Sequence, residues 1–434
     1  MVDAGTGSVN LNAGKIDFSG CKFSIDPRED WKQLFKDAWR MERDYFYDRN
    51  MHGVDWEVMY EKYRPLVDRV TTRNELNQVL ARLVGELSVL HAGASGGDMP
   101  SDDQYIGVAS LGAHTSRDEV NGGYRIDYIY QGDPDYYDFG DWRSPLKDPY
   151  LDIQEGDIIT KVNGSAALSA MDLGALLRNQ AGKQVRLSIK RGETSKEVIV
   201  KPRGGSYWLR TMDWEYSNRL KVEKESDEQI GYLHMNAMGN WDIGHFYREF
   251  YPVINKKGLI IDARFNAGGY TDAIILEKLL RQPFMFLKDR TGEPYWRMNN
   301  SFRGHIVVLA NERTGSSGEA FLIGIRRLGL GTVIGKRTWG GQIWLNERNK
   351  LTDKGVMTAP MHGVYGPEGE WLVEGHGFEP DIEVDNLPYE TFNGKDAQLD
   401  AAIKLLQEKI AEDPREVPPV PDYPDKSFKT NRKD

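Results

Sequence analysis

Four short apolar runs between residues 230 and 337 constrain the fold of this chain more than any other feature. They are separated by amphipathic segments such as "TDAIILEKLLRQ" and "GEAFLIGIRRLG", in which apolar residues recur at helical spacing. Strands that are apolar throughout are buried on both faces, so the pattern predicts a sheet covered by helices on both sides. The runs read "IGYLHMN", "GLIIDARF", "HIVVLA" and "GTVIGKR", and "DAQLDAAIKLLQEKI" is predicted to be a closing helix.

Two further regions precede this α/β pattern. From residue 27 to about 90, apolar residues recur at spacings of three and four, and a Thr-x-x-Glu-like cap precedes Leu76, which predicts a small helical domain ending at His91. Residues 92–103 are rich in Gly, Ser and Asp and predict a linker. The short alternating segments that follow predict a β-rich domain of about a hundred residues.

Composition narrows the function classes. A length of 434 residues fits two or three domains of about 150 residues, and the net charge of -10 argues against nucleic acid as a partner. Cys21 is the only cysteine, so neither an internal disulfide nor a thiolate zinc cluster is available, and no run approaches the length of about 20 apolar residues that spans a membrane. The first 18 residues lack the pattern of a signal peptide. We therefore expect a cytoplasmic protein, or a periplasmic one whose targeting segment lies outside this sequence.

A serine-rich corner interrupts the α/β pattern. The stretch "TGSSGEAF" (314–321) lies between the apolar run "HIVVLA" and an amphipathic segment. A strand-to-helix corner lifts a hydroxyl to the end of a sheet and directs the first helical N–H groups at whatever that hydroxyl attacks. Gly and Ser are also ordinary turn residues, so the corner alone does not establish a nucleophile.

Three other segments carry residues that such a nucleophile needs. "IIDARFNAGGY" (260–270) ends a buried strand in two glycines, which let a backbone N–H approach a ligand closely. "LSVLHAG" places His91 before small residues, and "WLVEGHGFEPDIEV" (371–384) places Glu374 and His376 in a Gly-punctuated turn. These residues supply candidates for an oxyanion hole, a base and a carboxylate.

Together these motifs resemble the tricorn-type branch of the serine peptidases, in peptidase family S41, which is related to the C-terminal processing proteases. The resemblance runs from about residue 27 to 412 and implies a multidomain α/β protein: a helical N-terminal domain, a PDZ-like β-rich domain and an α/β catalytic domain of the ClpP/crotonase type. The β-propellers that precede these domains in full tricorn proteases have no counterpart here, so we expect a fragment or a short form. The expected parts are a lead segment (1–26), a C1-like domain carrying the base (27–100), the PDZ-like domain (101–203), a C2-like catalytic domain (204–412) and a Pro-rich charged tail (413–434).

The resemblance also implies roles for single residues. The nucleophile would be Ser316, the general base His91 and the orienting carboxylate Glu374. The oxyanion hole would be formed by the N–H groups of Gly268 and Ser317, with Gly269 as a near alternative to Gly268. No His-Glu-x-x-His or comparable spacing occurs, so we expect neither a metal nor another cofactor.

Two positions distinguish this chain from other serine hydrolases, and a third departs from the tricorn pattern. "TWGGQ" places Gly341 where the processing proteases have a catalytic lysine, so a histidine base is required. Leu90 replaces a serine that precedes the histidine in the tricorn pattern, which leaves Glu374 to reach His91 directly or through water. Glu319 replaces the last glycine of the Gly-x-Ser-x-Gly elbow, which disfavours an α/β-hydrolase.

We predict a serine peptidase that hydrolyses peptides or oligopeptides through an acyl-enzyme. The alternatives are a non-catalytic, PDZ-containing peptide-binding module and a Ser/Lys processing protease, which Gly341 disfavours. The segment "VASLGAH" (108–114) is the expected peptide-binding loop of the PDZ-like domain, and a purely bracing role for this domain is equally compatible with the sequence. The expected partners are peptide substrates, and a homo-oligomer, trimer or hexamer, is left open.

Overall fold

The computed structural model describes residues 18, 20–22, 24–99, 105–136, 143–345 and 349–427. Most of the predicted lead segment and the end of the predicted tail lie outside these residues. The contacts within the chain divide it into two compact units. The first unit comprises Met1–Pro100 and Ile343–Trp371, and the second comprises Ser101–Gln342 and Leu372–Asp434.

Helices and strands follow the chain in three regions. The α-helices are α1 (Pro27–Tyr45), α2 (Trp56–Val67), α3 (Arg73–Gly85), α4 (Tyr207–Glu225), α5 (Asn240–Phe250), α6 (Asp272–Leu279), α7 (Ser317–Arg327), α8 (Pro388–Phe392) and α9 (Ala397–Glu412). The strands are β1 (Gly93–Ser95), β2 (Ala113–Asp118), β3 (Gly123–Ile129), β4 (Ile158–Val162), β5 (Ser165–Ala166), β6 (Val185–Arg191), β7 (Thr194–Val200), β8 (Ile230–His234), β9 (Gly258–Asp262), β10 (Phe286–Leu287), β11 (Tyr295–Trp296), β12 (His305–Ala310), β13 (Thr332–Gly335), β14 (Trp344–Leu345), β15 (Val356–Thr358), β16 (Pro360–His362) and β17 (Ile382–Glu383).

The first unit is built on α1, α2 and α3. As the sequence predicted, a capping box opens α3: Thr72 accepts from the N–H of Glu75, whose carboxylate accepts from the N–H of Thr72. Strand β1 pairs antiparallel with β15, so the predicted linker is in part a strand. The core of the three helices also includes side chains from far along the chain, namely Ile343, Leu351 and Met357.

A buried ion pair connects the segment Ile343–Trp371 to helix α3. Arg73 Nε lies 2.5 Å from Asp353 Oδ2, and Arg73 Nη1 lies 2.5 Å from Asn77 Oδ1. Because both charged side chains are almost fully buried, each depends on the other to offset its desolvation. Residues 343–371 belong to this first unit, although they lie within the predicted C2-like domain, 204–412. The domain boundaries remain predictions, and they did not include this grouping.

The second unit contains two large sheets and the two-stranded pair β10-β11. The β-rich region forms an antiparallel sheet in the order β2-β3-β4-β6-β7, with β5 paired to β4. It is joined to α4 through Asp213, whose carboxylate accepts from Tyr128 Oη at 2.9 Å and from the N–H of Gln131 at 2.5 Å. The segment "MDLGALLRNQ", whose apolar residues are also compatible with a helix, forms only a short 3-10 turn at Leu173–Leu177.

The second sheet is parallel, in the order β17-β13-β12-β9-β8. Its side chains alternate between two apolar cores: Ile261 and Val308 face the core that contains side chains of α5, α6 and α7, whereas Ile260 and Val307 face the core that contains side chains of α4 and α9. The predicted sheet with helices on both faces is therefore confirmed, as is the order of helical, β-rich and α/β regions. Within the described part of the chain, no helix has the length and apolar character needed to cross a membrane.

Candidate active site

Ser316 occupies a strained corner between β12 and α7. It is the N-cap of α7 with φ 55° and ψ -124°, a backbone conformation that is uncommon for any residue except glycine. Its side chain is half-buried. The corner lies just beyond the carboxyl end of a central strand of the parallel sheet, which is where such sheets place their ligands.

The turn that leads to Ser316 is tied to the segment after β9. Thr314 Oγ1 donates to the carbonyl oxygen of Ala263 at 2.7 Å, and the N–H of Gly315 donates to the carbonyl oxygen of Asn266 at 3.0 Å. These bonds hold the serine turn beside the two glycines that the sequence singled out.

Gly268 lies directly against Ser316. A Cβ atom at this position would be 2.5 Å from Ser316 Cβ, and the φ of 79° also favours glycine. The N–H of Gly268, however, donates to Asn266 Oδ1 at 2.9 Å. The predicted oxyanion donor is therefore already engaged by a side chain of its own turn.

The neighbouring Gly269 presents its amide differently. Met238 donates to the carbonyl oxygen of Gly268 and accepts from the N–H of Tyr270, each at 2.8 Å, in a parallel bridge opposite Gly269. The N–H and C=O groups of Gly269 therefore face away from Met238, and its carbonyl oxygen accepts from Ser317 Oγ at 2.6 Å. Over the described ranges, no hydrogen-bond acceptor is recorded for the N–H of Gly269.

Ser317 differs from Ser316 in its burial and in the partner of its hydroxyl. Its side chain is buried and donates to Gly269, so Ser317 is a poor substitute for Ser316 as a nucleophile. Its N–H belongs to the first turn of α7, where the helix supplies no acceptor. Within the part of the chain that the structure describes, this N–H has no recorded acceptor.

Gln342 connects Ser316 to Glu374. The N–H of Gln342 donates to Glu374 Oε2 at 2.5 Å, and Gln342 Nε2 donates to the carbonyl oxygen of Ser316 at 3.0 Å. The turn of Glu374 is also held by a 2.8 Å bond from the N–H of Gly375 to the carbonyl oxygen of Gly340. Sequence reasoning missed Gln342, although its position next to Gly341 was a signal.

His91 lies in the first unit, in the turn between α3 and β1, and is half-buried. Helix α3 ends at Gly85, earlier than the predicted helical boundary at His91. The carbonyl oxygen of His91 accepts from Thr358 Oγ1 at 2.8 Å, so β15 helps to fix the turn. Ser316 and Glu374 lie in the second unit.

The position of the lysine in the processing proteases has a different function here. The N–H of Gly341 donates to Glu319 Oε2 at 3.0 Å. Lys336, which precedes this position, pairs with Glu383 at 2.6 Å and with Asp385 at 3.6 Å. These contacts give Lys336 a surface role rather than a place beside Ser316.

Three other histidines, His52, His234 and His376, have structural partners. His234 Nδ1 lies 2.5 Å from Glu215 Oε1, and its Nε2 lies 2.9 Å from the carbonyl oxygen of Arg264. Burial alone would lower the pKa of His234, but the Glu215 carboxylate and the Arg264 carbonyl together raise it. His52 bonds to Leu87 and Tyr47, and the exposed His376 lies 3.7 Å from Glu379.

Comparison with known proteins gives the same order of parts. Family models match residues 27–85 (tricorn protease C1 domain), 109–203 (tricorn protease PDZ domain) and 229–384 (peptidase family S41). Tricorn protease homolog 1 of Streptomyces coelicolor is 34% identical over 408 residues, which cover 93% of this chain and 38% of the relative. The chain belongs to the tricorn-type branch of peptidase family S41. The tricorn protease of Thermoplasma acidophilum is 31% identical over 397 residues, which cover 91% of this chain and 36% of that protein.

A crystal structure of the tricorn protease matches this tricorn-type chain with a TM-score of 0.80 at 30% identity. The match covers 89% of this chain and 37% of that one. The chain therefore spans less than half the length of the tricorn relatives named here. Ser316, Gly268 and Glu374 fall inside the S41 match, and His91 lies just beyond the C1 match.

Proposed function

We propose that this tricorn-type chain hydrolyses peptides or oligopeptides by acyl transfer through Ser316. The observation that carries the proposal is the Ser316 corner: a strained serine at the start of a helix, pressed against Gly268. Beside it, the N–H groups of Ser317 and Gly269 have no hydrogen-bond acceptor among the residues that the structure describes. A residue outside the common backbone regions persists only where its surroundings enforce it, and such residues concentrate at functional sites.

The reaction follows from the proposed roles. Ser316 Oγ attacks the carbonyl carbon of the scissile bond while the neutral imidazole of His91 takes its proton. The amine leaves with that proton, and water then hydrolyses the acyl-enzyme with His91 again as the base. Glu374 orients the imidazole and stabilises its protonated form. The roles of His91 and Glu374 rest on the family resemblance.

For the oxyanion hole we propose the N–H groups of Ser317 and Gly269. Gly268, the first prediction, remains in contact with Ser316, but its N–H is occupied by Asn266. The N–H of Gly269 faces the side on which Ser317 lies. A donor of this kind typically contributes about 3 kcal/mol to lowering the barrier.

Peptide substrates are part of the proposal, as the names and family of the relatives suggest. Assembly into a homo-oligomer is part of the proposal through the family resemblance. Localisation to the cytoplasm or the periplasm remains a prediction, and so does the absence of nucleic acid among the partners. The β-rich region has one observation for each of its two roles: β2 is an edge strand, which suits peptide addition, and the contacts of Asp213 suit bracing.

A fluorophosphonate probe tests the proposal. We expect it to label the full chain at Ser316, and we expect labelling and hydrolysis of a peptide library to disappear in Ser316→Ala and in His91→Ala. Ser317→Ala is the matched control, because it removes the adjacent hydroxyl and keeps the N–H. Unlabelled wild-type protein would favour the non-catalytic peptide-binding alternative.

A further inference from the structure

Glu319, in the first turn of α7, carries a fully buried carboxyl group beside the nucleophile. A buried carboxylate is unfavourable unless hydrogen bonds replace its water. Four donors do so here. Oε2 accepts from the N–H groups of Ser316 and Gly341, each at 3.0 Å, and Oε1 accepts from Thr338 Oγ1 at 2.5 Å and from the N–H of Gly340 at 2.7 Å.

These contacts require the ionised form. Three of the four partners are backbone N–H groups, which can only donate. The Thr338 hydroxyl accepts from the N–H of Phe378 at 2.7 Å, which leaves its proton for Glu319. Burial raises the pKa of Glu319, and the hydrogen bonds from Thr338, Gly340, Ser316 and Gly341 oppose that shift.

The carboxylate joins two segments that both contact the site. One is the serine turn, through the N–H of Ser316. The other is the segment 338–341, which leads into Gln342 and therefore to Glu374. A rotation that relaxed the positive φ of Ser316 would move its N–H away from Oε2 and break this bond.

We propose that Glu319 is a positioning residue that holds Ser316 in its strained conformation, so that the hydroxyl stays aimed at the substrate. Glu319 is buried and acts through the backbone N–H groups of Ser316, Gly340 and Gly341 and through the Thr338 hydroxyl. This inference rests on the proposed peptidase function of Ser316.

Helix capping alone is the competing explanation. A Glu at the third helical position often accepts from the N-cap N–H, and Gln does the same in a capping box. Capping uses one of the four donors. Glu319→Gln therefore separates the two explanations: its single oxygen can still cap α7, but its NH₂ group must face at least one N–H that now lacks an acceptor.

The experiment compares wild-type protein, Glu319→Gln and the matched control Glu312→Gln, which removes an exposed carboxylate from the same turn. The rate of fluorophosphonate labelling, kcat and KM on a peptide, and hydrogen exchange are measured on the full chain. We expect Glu319→Gln to lower the labelling rate and kcat by about tenfold or more, with KM changed by less than about twofold. In Glu319→Gln, hydrogen exchange should increase at the backbone N–H groups of residues 316, 340 and 341 but not in β9 or β12.

Two results would overturn the inference. One is labelling, kcat and local exchange in Glu319→Gln equal to those of the wild type, because capping alone then explains the residue. The other is exchange that increases throughout α7 and β12, because Glu319 then serves the fold as a whole. If wild-type protein is not labelled, the peptidase proposal has failed. Hydrogen exchange then tests the positioning role of Glu319 by itself. Equal exchange in wild-type protein and Glu319→Gln at residues 316 and 340–341 would overturn that role.

Discussion

The main-chain N–H of Gln342 donates to Glu374 Oε2 at 2.5 Å, so the proposed orienting carboxylate is held by a group that only a proline substitution would remove. The side chain of the same residue bonds to the carbonyl oxygen of Ser316. Gln342 therefore links the nucleophile turn and the carboxylate turn within one residue, and the two connections can be tested separately.

Glu374→Gln is expected to lower kcat by about a hundredfold or more while KM changes little. A glutamine retains an oxygen that can accept from the N–H of Gln342, so the side chain stays in place and only its charge is lost. Steady-state kinetics on a peptide would measure both constants. Adding Leu90→Ser should reduce the loss, because it restores the serine that the family pattern has beside His91. An unchanged kcat in Glu374→Gln would assign the carboxylate role to another residue.

Gln342→Met tests the second connection. The substitution removes the hydrogen bond to Ser316, which we expect to lower kcat by about two- to tenfold. Among the described residues, the buried Oε1 of Gln342 has no hydrogen-bond partner, so replacing the amide also removes an unsatisfied group. The free energy of unfolding should therefore change by less than about 1 kcal/mol. A large loss of stability in thermal unfolding would show that Gln342 mainly supports the fold.

Gly268→Ala should abolish activity, because the new methyl group would lie 2.5 Å from Ser316 Cβ. Gly292→Ala is the matched control: φ is 84° against 79° at Gly268, but nothing lies within 4 Å of the added methyl group. The control should lose about 1 kcal/mol of stability from backbone strain and keep its kcat. Equal activity in the two variants, measured by fluorophosphonate labelling, would contradict the close approach of Gly268 to the nucleophile.

Glu42 gives the first unit a predicted dependence of stability on pH. Its carboxyl group is fully buried, and neither oxygen has a hydrogen-bond partner among the residues that the structure describes. Burial raises the pKa of Glu42 from 4.5 to about 8. Between these values the folded state keeps a proton that the unfolded state has released, so stability falls as the pH rises, by about 3 kcal/mol between pH 4.5 and pH 7.

Glu42→Gln removes this dependence, because a glutamine stays neutral. We expect the Tm of the variant to exceed that of the wild type by a margin that grows from pH 5 to pH 8. Thermal unfolding of both proteins across this range measures the margin. Parallel curves would show that the carboxyl group is ionised, or solvated, in the folded protein.

Local sequence patterns were sufficient to predict much of the fold. The apolar runs predicted β8, β9, β12 and β13, and the Thr-x-x-Glu signal predicted the start of α3. Helix α4 was missed because the turn residues of "KPRGGSYW" lie at its start and because only a few of its residues enter the core. Strand β1 was missed because a three-residue strand carries no period, and its partner β15 lies far along the chain.

The glycine pair at a strand end and the family resemblance together predicted that Gly268 lies beside Ser316, and the structure brings these two residues close together. They did not indicate which glycine N–H is open. That depends on the direction of each peptide plane, which Asn266 and Met238 fix through their hydrogen bonds. The contacts of Gln342 and Glu319 were hidden for a related reason, because most of them use backbone N–H or carbonyl groups whose directions the sequence does not show.

Arg73 and Asp353 stand 280 positions apart in the chain. During synthesis α1, α2 and α3 emerge before the second unit, yet the core that they share with Ile343, Leu351 and Met357 cannot close until the ribosome has made most of the second unit. These helices are therefore among the last parts of the two units to finish folding. Until then the apolar faces of these helices are exposed to chaperones and to other nascent chains. The closing step is expected to be slow, because it requires contacts between residues that are far apart in the sequence.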